Sequence, residues 1–343
     1  MQDILDSNLE ELEGLLEDWK APRYHARQIF SWVYQKGATD FEQMSNLPLE
    51  LRKRLKQNFC VRTIVPSRIA TSRDGTQKFL FELKGGHFIE AVVIPAEGRS
   101  TACISSQAGC RFGCRFCASG MRGFKRNLSP AELLSQIHYI KYNSAQKNIS
   151  HIVFMGTGEP LDNYDNVLKA IRVINAEWGF AIGARRITVS TSGIIPGLSR
   201  LAEEKLQVEL SVSLHAADQA LRSRLMPVNK IYPLDKLLKA CADYIAKTNR
   251  QITFEYVLLK GINSDLQNAR KLSTIIKRLK LGKINLIPAN AIPEYGIEPP
   301  NTLEVLLFRD ALLKAGVTVT LRKSRGQDIE AACGQLRLGY EKK

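Results

Sequence analysis

The chain has 343 residues, enough for one large domain with an appendage or for two ordinary domains. A composition of 44% hydrophobic and 24% charged residues excludes a disordered chain; no run of 18 apolar residues occurs and the N-terminus is acidic, so neither a membrane span nor export is expected and the cytoplasm is the expected location. There, seven cysteines point to metal or redox chemistry rather than a disulfide framework, and 49 Lys+Arg against 34 Asp+Glu, a net +15, point to a polyanionic partner.

Residues 1–58 read as a small helical accessory domain. LEELEGLLEDW has helical periodicity, Pro22 opens a second segment that ends on Gly37, and SNLPLELRKRLKQNF makes a third. Its Arg23, Arg27 and Lys36 could touch phosphates, or could simply form a solvated basic face. Residues 59–100 change to alternating patterns broken by Gly turns, the mark of a short antiparallel β extension. From 101 to 300, strands and helices alternate. Strands are expected at 101–107, 151–156, 185–193, 207–216, 251–259 and 283–290, with helices such as 129–143, 165–176, 234–247 and 265–280 between them. Six β/α units of this kind predict an α/β fold with a parallel sheet curled into a partial barrel, its chemistry at the C-terminal strand ends. Residues 301–343 add a helix, a strand and the loop SRGQDIEAACGQL.

The notable residues fall at those strand ends. After the first strand comes GCRFGCRFCASG, which places Cys110, Cys114 and Cys117 in one C-x3-C-x2-C loop. Three thiolates are one too few for a four-iron cluster with a cysteine on every iron, so one iron would keep an open position. A structural zinc site is the alternative, although no second C-x2-C or His pair lies nearby in sequence; three unrelated buried thiols is another. GTGEP (156–160), STSG (190–193), SLH (213–215) and PAN (288–290) follow later strands. Arg111, Arg115, Arg122, Lys125 and Arg126 surround the cysteines, and Arg322, Lys323, Arg325 and Arg337 recur near the C-terminus, a basic rim suited to a polyanionic substrate.

The cysteine loop in register with GTGEP resembles the radical S-adenosylmethionine (SAM) superfamily. With FKRNL, STSG, SLHA and RGQDIEAACGQL added, the chain from about residue 20 to 340 is similar to the radical-SAM RNA methyltransferases of the RlmN/Cfr family. Thr157 departs from that family's usual Met in GMGEP. The resemblance implies that Cys110, Cys114 and Cys117 hold a [4Fe-4S] cluster whose open iron chelates SAM. It implies SAM contacts from Gly158, Glu159, Ser190, Ser213, Leu214, His215 and Asn290, with Gly156 and Gly158 permitting close backbone approach and Glu159 accepting from the SAM amino group. Cys333 would carry a methyl group taken from a first SAM, a radical made from a second SAM would abstract hydrogen from that methyl, and Cys103 would release the product by forming a disulfide with Cys333. Glu90 would be the base that takes the ring proton. The implied substrate is C2 of an adenosine in 23S rRNA, at the peptidyl-transferase centre, and of the adenosine 3′ of the anticodon in tRNA, with an electron donor such as flavodoxin and a monomeric enzyme.

The residues alone leave other readings open. Cys333 and Cys103 would each pass as small core residues, Glu90 as a strand carboxylate facing solvent, His215 as a satisfied strand histidine; Cys60 and Cys241 match nothing and read as structural. Two rival functions remain at this point: methylation of C8 by a Cfr-type enzyme that confers antibiotic resistance, and a non-catalytic, zinc-stabilised RNA-binding protein.

Overall fold

The computed structural model describes residues 1–120, 123–146, 148–291, 296–332 and 334–336. The N-terminal module starts with a two-residue strand β1 (Gln2–Asp3), which pairs in parallel with β2 (Phe59–Cys60) and so ties the two ends of the module together. Between them run α1 (Leu9–Asp18), α2 (Tyr24–Tyr34) and α3 (Leu49–Asn58). Asn8 starts α1 with a capping box, accepting from the Glu11 amide while Glu11 returns the bond, which satisfies two orphan donors. Ile29, Phe30, Val33 and Tyr34 of α2 are fully buried, and Phe30 stacks on Trp178 of the body at 5.0 Å. Gly37 (φ +74°) lies against the Tyr142 ring; a Cβ there would sit 2.9 Å from it. The module is therefore packed onto the body and its core is continuous with it.

Three antiparallel strands follow: β3 (Pro66–Thr71), β4 (Gln77–Glu82) and β5 (Phe88–Ala96). β5 pairs antiparallel with β6 (Arg99–Cys103), and β6 then opens the parallel part. A short antiparallel pair, β7 (Gln107–Ala108) with β8 (Arg126–Asn127), brackets the cysteine loop. Beyond it come α4 (Pro130–Asn143), β9 (His151–Phe154), α5 (Tyr164–Asn175), β10 (Ile187–Thr191), α6 (Ile195–Glu203), β11 (Glu209–Ser213), α7 (Gln219–Leu225), α8 (Leu234–Thr248), β12 (Ile252–Leu258), α9 (Leu266–Lys277), β13 (Gly282–Pro288), α10 (Thr302–Lys314) and β14 (Val319–Leu321). Among the described residues the large sheet has ten strands in the order β14-β13-β12-β11-β10-β9-β6-β5-β4-β3.

The expected partial β/α barrel is present, with two differences at its borders. The β extension is hydrogen-bonded into the main sheet, so a cut at 100/101 falls inside β6. The C-terminal strand β14 pairs in parallel with β13 and completes the same sheet, so a cut at 300/301 separates it from its partner. Both follow from edge physics: an unpaired strand edge exposes a row of N–H and C=O groups, and pairing satisfies them. One face of the parallel strands is fully buried, as at Ile252, Phe254, Tyr256 and Leu258 of β12, while alternate residues such as Thr253 and Val257 are only half-buried. Among the described residues no helix is long and apolar enough to cross a membrane.

Candidate active site

The C-terminal ends of the parallel strands open into one cleft of about 1050 Å³, counting the space at its mouth. Cys110, Cys114 and Cys117 line it together with Gly158, Glu159, Ser190, Ser213, His215 and Asn290. Eight of the positions singled out for cluster and SAM on resemblance thus share a cavity with Glu159. Leu214 differs: its side chain is fully buried in the core and its amide donates to the Glu255 carbonyl, so it spaces Ser213 from His215 rather than facing the cleft.

The loop after β9 explains its own glycines. A Cβ on Gly156 would sit 2.7 Å from the Ile104 carbonyl carbon, and one on Gly158 (φ +108°) 2.6 Å from the Gln107 Cβ. The close approach these residues permit is therefore to the chain segment 104–107, and it locks the Glu159 loop onto the strand that feeds the cysteine loop. Glu159 is buried. Its Oε2 accepts from the Ser192 amide (2.7 Å) and hydroxyl (2.8 Å), and its Oε1 from the Leu161 amide (3.0 Å). Burial raises its carboxyl pKa and those Ser192 and Leu161 bonds pull it back down. Much of its acceptor capacity already serves to clamp the loops after β9 and β10 together.

His215, at φ +54°, accepts from the Val257 amide through Nδ1 (3.0 Å), and its ring meets Phe116 edge-on at 4.5 Å. Burial, reinforced by the Arg222 charge, pulls its pKa down to about 3, so the ring is neutral at ordinary pH. Asn290 accepts from Gln327 Nε2 at 2.7 Å, which joins the cleft wall to the C-terminal loop. Sequence reasoning missed Glu255, a buried cleft carboxylate that accepts from Ser211 Oγ (3.1 Å) and Asn285 Nδ2 (2.7 Å). It also missed Arg222, fully buried, whose Nη2 donates to the Ser192 and Ser213 carbonyls at 2.7 and 3.2 Å. A Glu inside an apolar strand and an Arg in a short helix carry no signal beyond their oddity.

The three loop thiols suit a cationic cluster. Burial lifts the Cys110 thiol to about 12, and burial with the neighbouring thiolates lifts Cys114 well above its ordinary value. Three such sulfurs on one cavity wall ionise together only beside a strong positive charge, which a metal centre supplies. Among the described residues no three His, Cys, Asp or Glu converge tightly enough for a single ion. A four-iron cluster would take each of the three sulfurs on a different metal and leave its fourth iron open.

Glu90 and Cys103 stand apart from this cavity, on the extension side. Cys103 is buried with Val92, Ala331 and Leu336, against which Ile94, Val153, Met155 and Ile329 also pack. Glu90 does not face solvent: it is 2% exposed, and its Oε1 lies 3.2 Å from Lys78 Nζ. The two groups of residues touch through the C-terminal loop. Gly334 lines the cleft and its carbonyl accepts from the Ala118 amide (2.9 Å), while the Leu336 carbonyl accepts from Ser119 Oγ (3.1 Å). Cys333 lies outside the described residues, between the placed Ala332 and Gly334. Cys241 is buried as expected, whereas Cys60 is only half-buried, against the Gln2 carbonyl.

The basic rim is less available than the sequence suggested. Arg111 pairs with Asp162 at 2.9 Å and lies over the Phe124 ring, Arg126 pairs with Glu132 at 2.7 Å, and Arg23 pairs with Glu13 at 3.0 Å. Lys36 lies over the Trp32 ring. Arg27, Arg115, Lys125 and Lys323 are exposed; Arg122 and Arg337 lie outside the described residues.

Comparison with known proteins places this geometry. Residues 104–272 match the radical SAM superfamily, and residues 2–61 match the "Ribosomal RNA large subunit methyltransferase N-terminal domain". A Dictyoglomus turgidum protein named "Probable dual-specificity RNA methyltransferase RlmN" is 44% identical over 345 residues, covering 100% of this chain and 98% of the relative. A Pelotomaculum thermopropionicum protein of the same name is 46% identical over 336 residues, covering 97% and 91%. The crystal structure of a radical SAM methyltransferase from Sphaerobacter thermophilus superposes with a TM-score of 0.93 at 42% identity, covering 98% of this chain and 99% of that one. These likenesses overturn the reading as a non-catalytic zinc module. The chain belongs to the RlmN family of radical-SAM RNA methyltransferases, and with it to the enzymes that work with a four-iron cluster and SAM.

Proposed function

We propose that this enzyme methylates C2 of one adenosine in 23S rRNA, at the peptidyl-transferase centre, and C2 of the adenosine 3′ of the anticodon in tRNA, working in the cytoplasm as a monomer with a flavodoxin-like electron donor. The observation that carries this reading is the meeting of three loop cysteines, the SAM-binding strand ends and Gly334 in one cleft, with Cys103 and Glu90 beside the loop that bears Cys333. In this reading residues 1–58 contact the RNA, 59–100 carry Glu90, 101–300 hold the cofactors and 301–343 carry the methyl group.

When bound at Cys110, Cys114 and Cys117, the cluster with SAM supplies the methyl group, the hydrogen-abstracting radical and the sink for one electron. Around it, Gly158, Ser190, Ser213, His215 and Asn290 bind and orient SAM, with Glu159 fixing their loops. An adenine C2 is electrophilic and cannot take a methyl cation directly, whereas the Cys333 thiolate can. Once the methylene on Cys333 is joined to C2, the Glu90 carboxylate accepts the C2 proton. The Cys103 thiolate then attacks the Cys333 sulfur: an S–S bond forms, the S–C bond breaks, and its electron pair goes to the carbon, which becomes methyl on protonation. With the loop seated, Ala331 and Leu336 together with Val92 bury Cys103 and keep water from this thiol.

Anaerobic turnover with SAM, a low-potential reductant and transcribed rRNA, followed by mass spectrometry of the nucleosides, tests this. The expected products are 2-methyladenosine, 5′-deoxyadenosine and S-adenosylhomocysteine in equal amounts. Recovery of 8-methyladenosine alone would overturn the C2 assignment, and failure of an anticodon-loop RNA to react would remove tRNA from the substrates.

A further inference from the structure

Lys78 is a buried cation placed where two parts of the chemistry meet. It lies on β4, where its register partner is Val92 of β5, and Val92 in turn is paired with Cys103 of β6. Because side chains alternate along a strand, Lys78, Val92 and Cys103 form one row on one face, and Glu90, two residues before Val92, lies on that same face. The Lys78 side chain is 13% exposed and that of Glu90 3%. Its Nζ lies 3.2 Å from Glu90 Oε1 and donates to the Glu330 carbonyl, also at 3.2 Å. Glu330 is three residues before Cys333. The adjoining residues of the tail, Ala331 and Ile329, pack against Val92 and Cys103 in the same row.

An ion pair this deep loses hydration on both partners, and mutual attraction compensates only when the remaining donors find acceptors. A lysine ammonium has three donors on a point charge. The Glu330 carbonyl supplies a second acceptor to an ammonium that Glu90 alone would leave further short, and it does so only when the tail is seated. Thermodynamic coupling is reciprocal: a seated tail strengthens the grip of Lys78 on Glu90, and the Glu90 charge strengthens the seat of the tail. The tail is held at further points along its length. Ser72 Oγ donates to Asp328 Oδ1 (2.5 Å), the Arg73 amide to Asp328 Oδ2 (3.2 Å), and the Gly326 amide to Asp74 Oδ2 (3.1 Å). Those contacts fix the base of the loop at the β3–β4 turn, whereas Lys78 alone of these reaches the carboxylate.

We propose that Lys78 is a positioning residue that couples docking of the methyl-carrying tail to the orientation of the Glu90 carboxylate, so that the proton acceptor is set when the carrier arrives. The inference rests on the roles assigned above to Glu90 and Cys333. It would place Lys78 at the step after the carbon–carbon bond has formed and before the disulfide releases the product.

The test compares Lys78→Met, Lys78→Arg, Glu90→Gln and Cys103→Ala as full-length, cluster-loaded proteins with matched iron content, in single turnover on a transcribed rRNA fragment. Denaturing gels read the covalent protein–RNA adduct, and hydrogen exchange reads residues 326–332. Lys78→Met is expected to make 5′-deoxyadenosine, to accumulate adduct as Glu90→Gln does, and to lose at least tenfold in product while exchange in the tail quickens. Lys78→Arg, which keeps the charge and donors, is expected to recover most of the product. Should Lys78→Met fail to load iron, Lys78→Gln, which keeps one donor for the Glu330 carbonyl and no charge, is read in its place with the same expectation. Normal release of product by Glu90→Gln would refute the role of Glu90 itself. Adduct accumulation in Glu90→Gln together with wild-type product and wild-type tail protection in the Lys78 variant would refute the coupling alone.

Discussion

Two walls face the reaction, and they are built differently. One is the set of strand ends after β9, β10, β11 and β13, where Glu159, Ser192, Arg222 and Glu255 bond to each other's loops inside the body. The other is the row on β4 to β6, against which the C-terminal tail is seated by Ser72, Asp74 and Lys78. The first wall is over-determined, with several buried bonds per side chain. The second is held by contacts that are individually modest and partly exposed, each of the kind worth about 1 kcal/mol. Under the proposed function the first wall is a cofactor cradle that needs fixed geometry, whereas the tail, as a carrier that takes a methyl group in one place and delivers it in another, must be able to leave its seat.

Cysteine substitutions draw that line most sharply. Cys114→Ala removes a proposed cluster ligand from the first wall and is expected to abolish cluster binding and all SAM cleavage; iron content and 5′-deoxyadenosine measure both. Cys103→Ala acts on the second wall only, and is expected to keep iron and cleavage while trapping the RNA adduct. Retention of full iron by the Cys114 variant would erase the distinction. Next in size is Gly158→Ala. The added Cβ would meet Gln107 at 2.6 Å at a φ of +108°, so a loss of about 3 kcal/mol in urea unfolding is expected, with SAM affinity falling at the same time.

The first wall also carries an acid sensitivity that the second does not share. His215 has its pKa depressed to about 3 by burial and Arg222, against 6.5 in the unfolded chain. Between those values the unfolded state binds a proton that the native ring, already accepting from Val257, refuses. Stability contributed by this site is thus complete above about pH 6.5 and is lost as pH falls toward 3. His215→Gln keeps an acceptor without the titration. Its urea midpoint series is expected to show an acid slope shallower by about 1.4 kcal/mol per pH unit, the value of one proton.

How much of this could be read from the chain follows the same division. The parallel strands and their loops were legible because apolar runs, Gly turns and cysteine spacing are local patterns, and β12 and β13 fell within two residues of expectation. The fate of the second wall was not legible. Glu90 is held by Lys78, whose other partner, the Glu330 carbonyl, lies more than two hundred residues away, and Lys78 in TQKFLFE looks like any strand lysine. The basic rim misled for a similar reason: Arg111 and Arg126 have acidic partners that only the fold brings near, Asp162 and Glu132. Leu214 was carried over with its neighbours, yet alternation along the strand end turns its side chain into the core.

The smallest expected effect lies at the seat of the tail. Asp74 accepts from the Thr76 amide (3.0 Å) and the Gly326 amide (3.1 Å), with Arg325 at 3.9 Å. Burial pushes its carboxyl up, but the bonds from Thr76 and Gly326 outweigh it and hold the carboxyl down to about 2. The depressed value means the latch is intact above about pH 4 and loosens as pH falls toward 2, the opposite arm of titration from a base but the same acid direction as His215. Asp74→Asn keeps one acceptor oxygen and removes the charge at a half-buried turn. A change in global stability of about 0.5 to 1 kcal/mol is expected, within the range of surface substitutions. Amide exchange at Gly326 and tryptic cleavage after Arg325 are expected to rise several-fold, because both report local opening of the loop rather than unfolding of the sheet. A loss of global stability as large as that of Gly158→Ala would show that the tail is part of the rigid body, and the contrast between the two walls would fail.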